Sequence, residues 1–329
     1  MSVLVTGATG FLGSALTLEL LRRGTQVRVL VRDEQRARAL FGQAVELIAG
    51  EITNPYSLGR AAEGVEVIYH LAGRLYHPGR PAELYYRTHV EGTRVLLACC
   101  QQQNRGRLRR LVYCSTTGVY GVTGATPACE NTLCAPTNPY EQSKLAGEQL
   151  VREACEQDGL PVCIARPGLV YGPGDLHLLG LFSAIKRGVF RVIGGGRTLL
   201  HPIYIDDLTR ALLLCAQHPR ASARCYNLAG EHPVSVRALA ANIARTLDRS
   251  LPAGSLPLWL AHLAADLCSL LPGLRGEGAP LTHSRVAFLT HSRIYDTRRA
   301  RSELGFEPSL SLAEGLRRTT RWYREQGYL

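Results

Sequence analysis

Lysine is nearly absent from this chain. Its 38 basic residues include only two lysines, Lys144 and Lys186, so positive charge is otherwise written as arginine. The formal net charge of +11 at pH 7 therefore reads first as a compositional habit, not as a binding surface. Arg298, Arg299 and Arg301, then Arg317, Arg318, Arg321 and Arg324, fall on what reads as solvated helix surface. No basic stripe is interleaved with aromatics, which argues against nucleic acid as a partner, while weak attraction to an anionic substrate or lipid surface stays open. Long hydrophobic runs are missing too. The longest, Leu256 to Leu271, is broken by Pro257, His262 and Asp266 and is too short to span a bilayer. The first strand pattern begins almost at Met1, which leaves no segment for a signal peptide. Both features point to the cytoplasm. Among ten cysteines there is no Cys-x-x-Cys, Cys99 and Cys100 are adjacent, and several others lie in apolar patterns. Reduced, buried thiols are expected instead of a disulfide framework. No two histidines have metal-ligand spacing, so no metal site is expected.

What is present is a globular composition, 46% hydrophobic over 329 residues, enough for one large core or a main domain with a smaller companion. Val3–Val5, Val27–Val31, Val45–Ile48, Val67–Leu71, Leu111–Cys114 and Val162–Ala165 read as strands. Between them, Phe11–Arg22, Pro81–Gln103 and Tyr140–Gln157 carry helical periodicity. This alternation implies right-handed crossovers and an α/β fold with a doubly wound parallel sheet of the Rossmann type, whose ligands bind at the carboxyl ends of the strands. After Tyr171 the texture changes to loops, at Gly172-Pro-Gly174 and Gly194-Gly-Gly196, and to a proline- and leucine-rich stretch from Pro252 to Pro280. The helix after Asp206-Asp207 and the strand around Cys225–Leu228 return to the main fold. The expected division is therefore 1–172 with 202–230 for the cofactor domain, and 173–201 with 231–329 for a smaller, mostly C-terminal substrate domain.

Between the first strand and first helix lies Gly7-Ala-Thr-Gly10-Phe-Leu-Gly13. Gly7 permits a tight turn, Gly10 lets backbone approach a pyrophosphate, and Gly13 allows close helix–strand packing. The helix N-terminus then offers N–H groups to phosphate. The position in the opening βαβ unit makes this a dinucleotide signature instead of an ordinary glycine turn. The second strand ends at Val31 with Arg32 next and Arg36 a turn later, where NAD-binding chains place an acid. A guanidinium there suits the 2′-phosphate of NADP, with NAD the alternative if Arg32 is merely a surface arginine. Glu51 and Ile52 after the third strand border the adenine place.

Tyr140-Glu-Gln-Ser-Lys144 opens a long helix, so tyrosine and lysine share one face a turn apart. An ammonium and a cofactor ribose beside a phenol favour its anion and bring it nearer to proton exchange. A solvated helix pair is the bland alternative, but Lys144 is one of only two lysines here. The fifth strand runs into Ser115-Thr116-Thr117, whose hydroxyls emerge at the carboxyl end of the sheet. Thr117 could serve as a turn residue alone; Ser115 and Thr116 together fit that role less well.

These pieces, with Thr6–Gly13, His70-Leu-Ala72, Val90-Glu-Gly-Thr93, Val119-Tyr-Gly121, Arg166-Pro167, Tyr171-Gly-Pro173 and Tyr204-Ile-Asp-Asp207, resemble an extended short-chain dehydrogenase/reductase along nearly the whole chain. The resemblance implies Tyr140 as catalytic acid/base, Lys144 as its partner on the nicotinamide ribose, and Thr116 as the third catalytic hydroxyl. It implies cofactor contacts at Gly7, Thr9, Gly10, Phe11, Leu12, Arg32, Glu51, Ile52, Leu71, Ala72, Tyr140, Lys144, Pro167 and Val170. It also implies a homodimer through the Tyr140 and Pro81–Gln103 helices. One departure is His89, where relatives usually carry asparagine, which puts in question the hydrogen bond that supports this helix but not the hydride chemistry.

Within the family, a dehydratase should add acids after the threonine, and Thr117-Gly118 supply none. Nucleotide-sugar 4-epimerase is the runner-up. A non-catalytic NADP sensor would not need Thr116, Tyr140 and Lys144 together. Leu256-Pro-Leu-Trp-Leu, Leu304-Gly-Phe-Glu-Pro308 and the tail from Leu312 through Trp322-Tyr323 look closer to the 3β-hydroxysteroid dehydrogenase and dihydroflavonol reductase branch. Leu169 and Leu200 stand where nucleotide-sugar enzymes keep an asparagine and an arginine for the diphosphate. A small hydrophobic alcohol or ketone is therefore expected, with Arg197 and its neighbours available for a distant carboxylate. The Leu256–Leu271 stretch reads either as a lipophilic, peripherally membrane-touching helix or as a plain core helix.

Overall fold

The computed structural model describes residues 1–103, 106–270 and 281–329. The chain opens with strand β1 (Ser2–Thr6), helix α1 (Phe11–Arg22), β2 (Gln26–Val31), α2 (Glu34–Phe41), β3 (Glu46–Ala49), α3 (Pro55–Ala62) and β4 (Val67–His70). It continues through α4 (Glu83–Tyr86), α5 (Gly92–Gln103), β5 (Arg110–Cys114), α6 (Pro139–Asp158), β6 (Val162–Pro167) and β7 (Leu169–Tyr171). Then come α7 (Leu179–Lys186), β8 (Leu199–Leu200), β9 (Pro202–Tyr204), α8 (Ile205–Gln217), β10 (Arg224–Leu228) and β11 (Val234–Ser235). The chain closes with α9 (Val236–Thr246), α10 (Leu258–Leu270), α11 (His283–Thr290), α12 (Arg298–Leu304) and α13 (Leu312–Glu325).

Seven strands form one sheet in the order β10-β6-β5-β4-β1-β2-β3, every pair parallel. Strands such as Val3–Val5 and Val67–His70 are buried on both faces because helices cover both sides, which is why they read as continuous apolar runs. The connections run outward in opposite directions from β1 and β4, so a crevice opens between them at their carboxyl ends, where Thr6 pairs with His70. The late strand β10 adds to β6 and brings 224–228 back into this sheet.

A second core lies beside it, where Phe182 and Ile185 of α7, Leu239 and Ile243 of α9, and Leu316 and Tyr323 of α13 pack on Tyr171 and Tyr204. In α10, Ala261 and Ala265 are buried against α11, whereas Trp259, Leu263 and Leu267 are 68%, 46% and 54% exposed. It is thus half-covered instead of a plain core helix. The C-terminal end of the Leu256–Leu271 run and the rest of the stretch to Pro280 lie outside the described residues. Among the described residues, no helix is long and apolar enough to cross a membrane.

The periodicity over Pro81–Gln103 predicts one helix; the structure has a continuous helical run from Glu83 to Gln103 (α4 through α5) that widens into a π turn at Arg87–Glu91. The turn follows from what His89 does. It is buried, its ring is held by Ser143 of α6, and its carbonyl accepts from the Thr93 hydroxyl at 2.6 Å. Helix α6 comes close through Gly147, where an added Cβ would sit 2.4 Å from the His89 carbonyl oxygen. Pi turns recur at functional sites, and this one faces the tyrosine of α6.

Candidate active site

The β1–α1 turn is built by contact. Gly7 has φ +72°, and a Cβ on it would meet the backbone of Leu71 and Ala72 at 2.7–2.8 Å. A Cβ on Gly13 would lie 2.0 Å from the Gly7 carbonyl oxygen. Gly10 sits at the N-cap of α1 with no side-chain cap, and the first turn holds no acid. Backbone N–H groups, the positive end of the helix and a side-chain-free surface thus face the crevice together, which fits a dinucleotide pyrophosphate. Thr9, Phe11 and Leu12 belong to the same turn, with Phe11 against Gly174 of the loop after β7.

The other expected cofactor positions lie along the same edge of the sheet. Arg32 follows β2, is exposed, and has no hydrogen bond or ion pair among the described residues. Asp33 beside it caps α2 by accepting from the Arg36 N–H at 2.9 Å. Glu51 follows β3 and pairs with Arg87 at 3.3 Å, and Ile52 packs on Gly92 of α5. Leu71 and Ala72 follow β4. Pro167 ends β6 and Val170 lies in β7.

Helix α6 presents the tyrosine and lysine. Asn138 caps it by accepting from the Glu141 N–H at 3.0 Å, Pro139 takes the first helical position, and Gly159 closes it in the left-handed region. Tyr140 and Lys144 then face the end of β5. The Lys144 ammonium donates to the Cys114 carbonyl at 2.7 Å and lies 5.4 Å from the Tyr113 ring centre. Burial holds its pKa below the ordinary lysine value, with the Cys114 and Glu148 side chains pulling the other way. Burial pushes the Tyr140 phenol up, the Cys114 thiol adds to that, and the neighbouring Thr116 hydroxyl draws it back. Thr116 and Tyr140 are therefore neighbours, and Lys144 meets the end of the same strand β5. Thr116 also accepts from the Gly118 N–H, while Thr117 turns inward and donates to the Pro167 carbonyl at 2.9 Å. Ser115 is buried, with its hydroxyl beside Glu148.

Several contributors are not marked by any motif. His89 accepts the Arg74 N–H on Nε2 at 2.9 Å, which places its proton on Nδ1 to donate to Ser143 Oγ at 2.8 Å. Ser143 passes the chain on to the Tyr140 carbonyl at 2.8 Å. His89 thus ties the loop after β4 to α6 through both ring nitrogens. The His89 ring stands edge-on to Tyr140 with centroids 5.6 Å apart, and burial, then the Lys144 charge, keeps it neutral. His70 bridges the Thr6 and Thr93 hydroxyls under the crevice, and burial lowers its pKa to about 3.

One turn beyond Lys144, Glu148 accepts from Arg166 Nε and Nη2 of β6 on its two carboxylate oxygens and also from Arg152. Arg166 in turn donates to the Tyr120 hydroxyl, which donates to Asn227 of β10. Burial opposes the Glu148 charge, but the two arginines more than offset it and its pKa falls below the ordinary value. This network fixes α6 to the sheet behind the site. Leu200 is 2% exposed inside the second core and Leu169 is half-buried at its edge, so neither place offers a polar group. Arg197 is exposed after the Gly194–Gly196 turn. Among the described residues, no cluster of three histidine, cysteine or acidic side chains could hold a metal.

A doubly wound sheet with a glycine cradle at its switch point and a threonine–tyrosine–lysine cluster beside it is the architecture of NAD(P)-dependent extended short-chain dehydrogenases/reductases. The sequence pattern of the NAD dependent epimerase/dehydratase family matches residues 3–229, and the chain belongs to that family. It is 30% identical over 334 residues to a 2-alkyl-3-oxoalkanoate reductase of Stenotrophomonas maltophilia, covering 97% of this chain and 98% of that protein. It is 27% identical to a 3beta-hydroxysteroid-dehydrogenase/decarboxylase of Arabidopsis thaliana, over 96% of this chain and 60% of that protein. A crystal structure of dTDP-glucose 4,6-dehydratase from Streptomyces venezuelae with NAD bound superposes with a TM-score of 0.79 at 25% identity, covering 100% of this chain and 98% of that one.

Proposed function

We propose that this enzyme moves hydride between NADP and a secondary alcohol or ketone carried on an apolar skeleton. Bound NAD(P) supplies the hydride donor or acceptor. The observation that carries the reading is that Thr116 and Tyr140 are neighbours and Lys144 meets the same strand end, beside the glycine cradle. Tyr140 exchanges the proton with the substrate oxygen, Thr116 holds that oxygen, and the Lys144 ammonium, oriented by the Cys114 carbonyl, favours the phenolate. For the cofactor, Arg32 is an exposed guanidinium at the end of β2 while the adjacent Asp33 is committed to capping α2, an arrangement that favours a 2′-phosphate. For the substrate, Leu169, at the edge of the second core, provides no anchor for a diphosphate. Exposed Leu75 and Leu176 stand on loops leaving β4 and β7, at the same end of the sheet as the cradle. Two relatives named for oxoalkanoates and hydroxysteroids act on skeletons of that kind.

The test is reduction of a 3-oxosteroid, a dihydroflavonol and a long-chain ketone with NADPH. Turnover of one of them, abolished in Tyr140→Phe with cofactor affinity intact, is expected. NADP should bind more tightly than NAD by roughly 1.5–3 kcal/mol, and Arg32→Ala should erase most of that gap. Thermal stabilisation by UDP-glucose but by none of the three ketones would transfer the assignment to a nucleotide-sugar epimerase.

A further inference from the structure

The chain that leaves α11 runs from the second core, where Phe288 and Leu289 pack, to the catalytic end of the main sheet. On one edge it is stitched to β8: the Arg293 N–H donates to the Leu199 carbonyl at 2.8 Å, and the Ser292 hydroxyl accepts from the Leu199 N–H at 3.0 Å. On the other edge the Thr123 N–H donates to the Ser292 carbonyl at 3.1 Å, and the Ala128 N–H to the Ile294 carbonyl at 3.0 Å. Residues 292–296 therefore join the second core to the loop that follows Thr116 and Thr117.

Two side chains of this segment reach immediate neighbours of the catalytic residues. Arg293 Nη1 donates to Glu141 Oε1 at 2.6 Å, and its Nη2 to the Thr137 hydroxyl at 3.4 Å. Thr137 closes the triangle by giving its own N–H and hydroxyl to Glu141 Oε2 at 2.7 and 2.8 Å. Glu141 follows Tyr140 in the first turn of α6, and its side chain lies against Gly118, where an added Cβ would sit 3.0 Å from Glu141 Cγ. The Gly118 N–H is the group that Thr116 Oγ1 accepts, at 3.0 Å. Tyr295, two residues beyond Arg293, brings its phenol to the Thr117 hydroxyl. One carboxylate thus touches the turn that carries Thr116, the entry to the helix that carries Tyr140, and a guanidinium 152 residues away. An ion pair withdrawn from water adds little net stability over an apolar contact of the same shape; what it supplies is one fixed geometry.

We propose that Arg293 is a positioning residue for the hydride-transfer reaction: by holding Glu141 it fixes Tyr140 against Thr116 and ties the pair to the second core. This rests on the reading of Tyr140 as the group that exchanges the proton and adds the residue that sets its place. Arg293 also balances a charge. Burial and the Cys114 thiol raise the Tyr140 phenol, the Thr116 hydroxyl lowers it, and the Glu141 carboxylate raises it. Tyr113 of β5, Tyr85 and His89 of the α4–α5 run, and Lys144 one turn along α6 complete its surroundings, while Tyr76 and Tyr295 face Glu141. With Arg293 in place the carboxylate is matched; without it, the carboxylate acts on the phenol uncompensated.

The experiment compares the full chain, loaded with NADP(H), with Arg293→Met, Arg293→Lys, Glu141→Gln and the double variant Arg293→Met/Glu141→Gln. The readouts are kcat, KM and the pH–rate profile on the ketones above, and a crystal structure of each protein with cofactor. Arg293→Met should lower kcat by about 10- to 100-fold with the KM for NADPH unchanged, the loss expected when a reacting group is misplaced. The midpoint of its pH–rate profile should move to higher pH, and that of Glu141→Gln to lower pH. The double variant should return toward the native midpoint, and Arg293→Lys should recover the midpoint and part of kcat. In crystals of Arg293→Met the Tyr140 hydroxyl should lie away from Thr116. Native kcat in Arg293→Met, or single variants that lose stability while neither midpoint moves, would overturn the proposal. If no ketone is turned over, a displaced Tyr140 in Arg293→Met upholds the positioning role and removes the hydride-transfer reading, whereas an undisplaced one overturns the positioning role.

Discussion

Replacing Gly13 by alanine should damage folding and cofactor binding together, and the structure sets the scale. The new methyl would lie 2.0 Å from the Gly7 carbonyl oxygen, 2.7 Å from the Gly7 carbonyl carbon and 2.9 Å from Ala8 Cα, where ordinary contact begins near 3.4 Å. Each obstructing atom is backbone, so no side-chain rotation relieves the clash. Helix α1 would have to move off the turn by more than an ångström, yet Leu16 and Leu20 on its inner face are buried in the main core. Overpacking of this kind costs about 1–3 kcal/mol, occasionally more, and a clash against fixed backbone belongs at the upper end. The same shift withdraws the helix N-terminus from the cradle, so affinity for NAD(P)H should fall alongside stability. Gly180 is the control: it is helical in α7, and a Cβ there meets nothing within 4 Å. Gly180→Ala should be stabilising by about 0.5–1 kcal/mol through helix propensity alone. Urea unfolding and fluorescence titration with NADPH on both variants measure the two effects. A Gly13→Ala protein that unfolds at the native midpoint and binds NADPH normally would refute this account of the cradle.

Three further outcomes follow from the same geometry. His89→Ala removes the donor to Ser143 and the acceptor for Arg74 N–H, so stability should fall by about 1–3 kcal/mol. The midpoint of the pH–rate profile should stay in place, because His89 is neutral throughout; a shift would show that His89 titrates. Glu148→Gln leaves the buried Arg166 charge unmatched and should cost about 3–5 kcal/mol in chemical unfolding, with a loss below 1 kcal/mol contradicting the role of the network. Asp175 is 2% exposed, and burial raises its pKa to about 6 against the backbone N–H groups of His177 and Leu178. The folded state therefore binds this proton more tightly than the unfolded chain. Its contribution to stability is greatest below the ordinary aspartate range and is lost as pH rises through about 6. Asp175→Asn should remove that pH dependence and be the more stable protein at neutral pH, measured as the difference between the two stability-versus-pH curves.

The parts of this enzyme legible in its sequence are those set by local chemistry. Short continuous apolar runs place the six main strands and period-3.6 spacing places the long α6 helix, because burial on both faces of a parallel sheet demands continuous apolar strands. Gly7, Gly10 and Gly13 declare the cradle, since only glycine tolerates such close approach of backbone to backbone. Tyr140 and Lys144 are readable because helix geometry puts residues four apart on one face.

What tertiary structure decided are the contacts between segments distant in the chain, for which sequence spacing carries no signal. The helix expected over Pro81–Gln103 carries a π turn at its middle, where His89 meets Ser143 fifty-four residues on. His89 carries no motif of its own, and only the fold shows that its two ring nitrogens find a donor and an acceptor. Leu200 reads as a vanished ligand contact, yet the fold puts it inside a core. Which charges are paired, as Arg166 with Glu148, is likewise settled by which strands and helices the sheet order brings together.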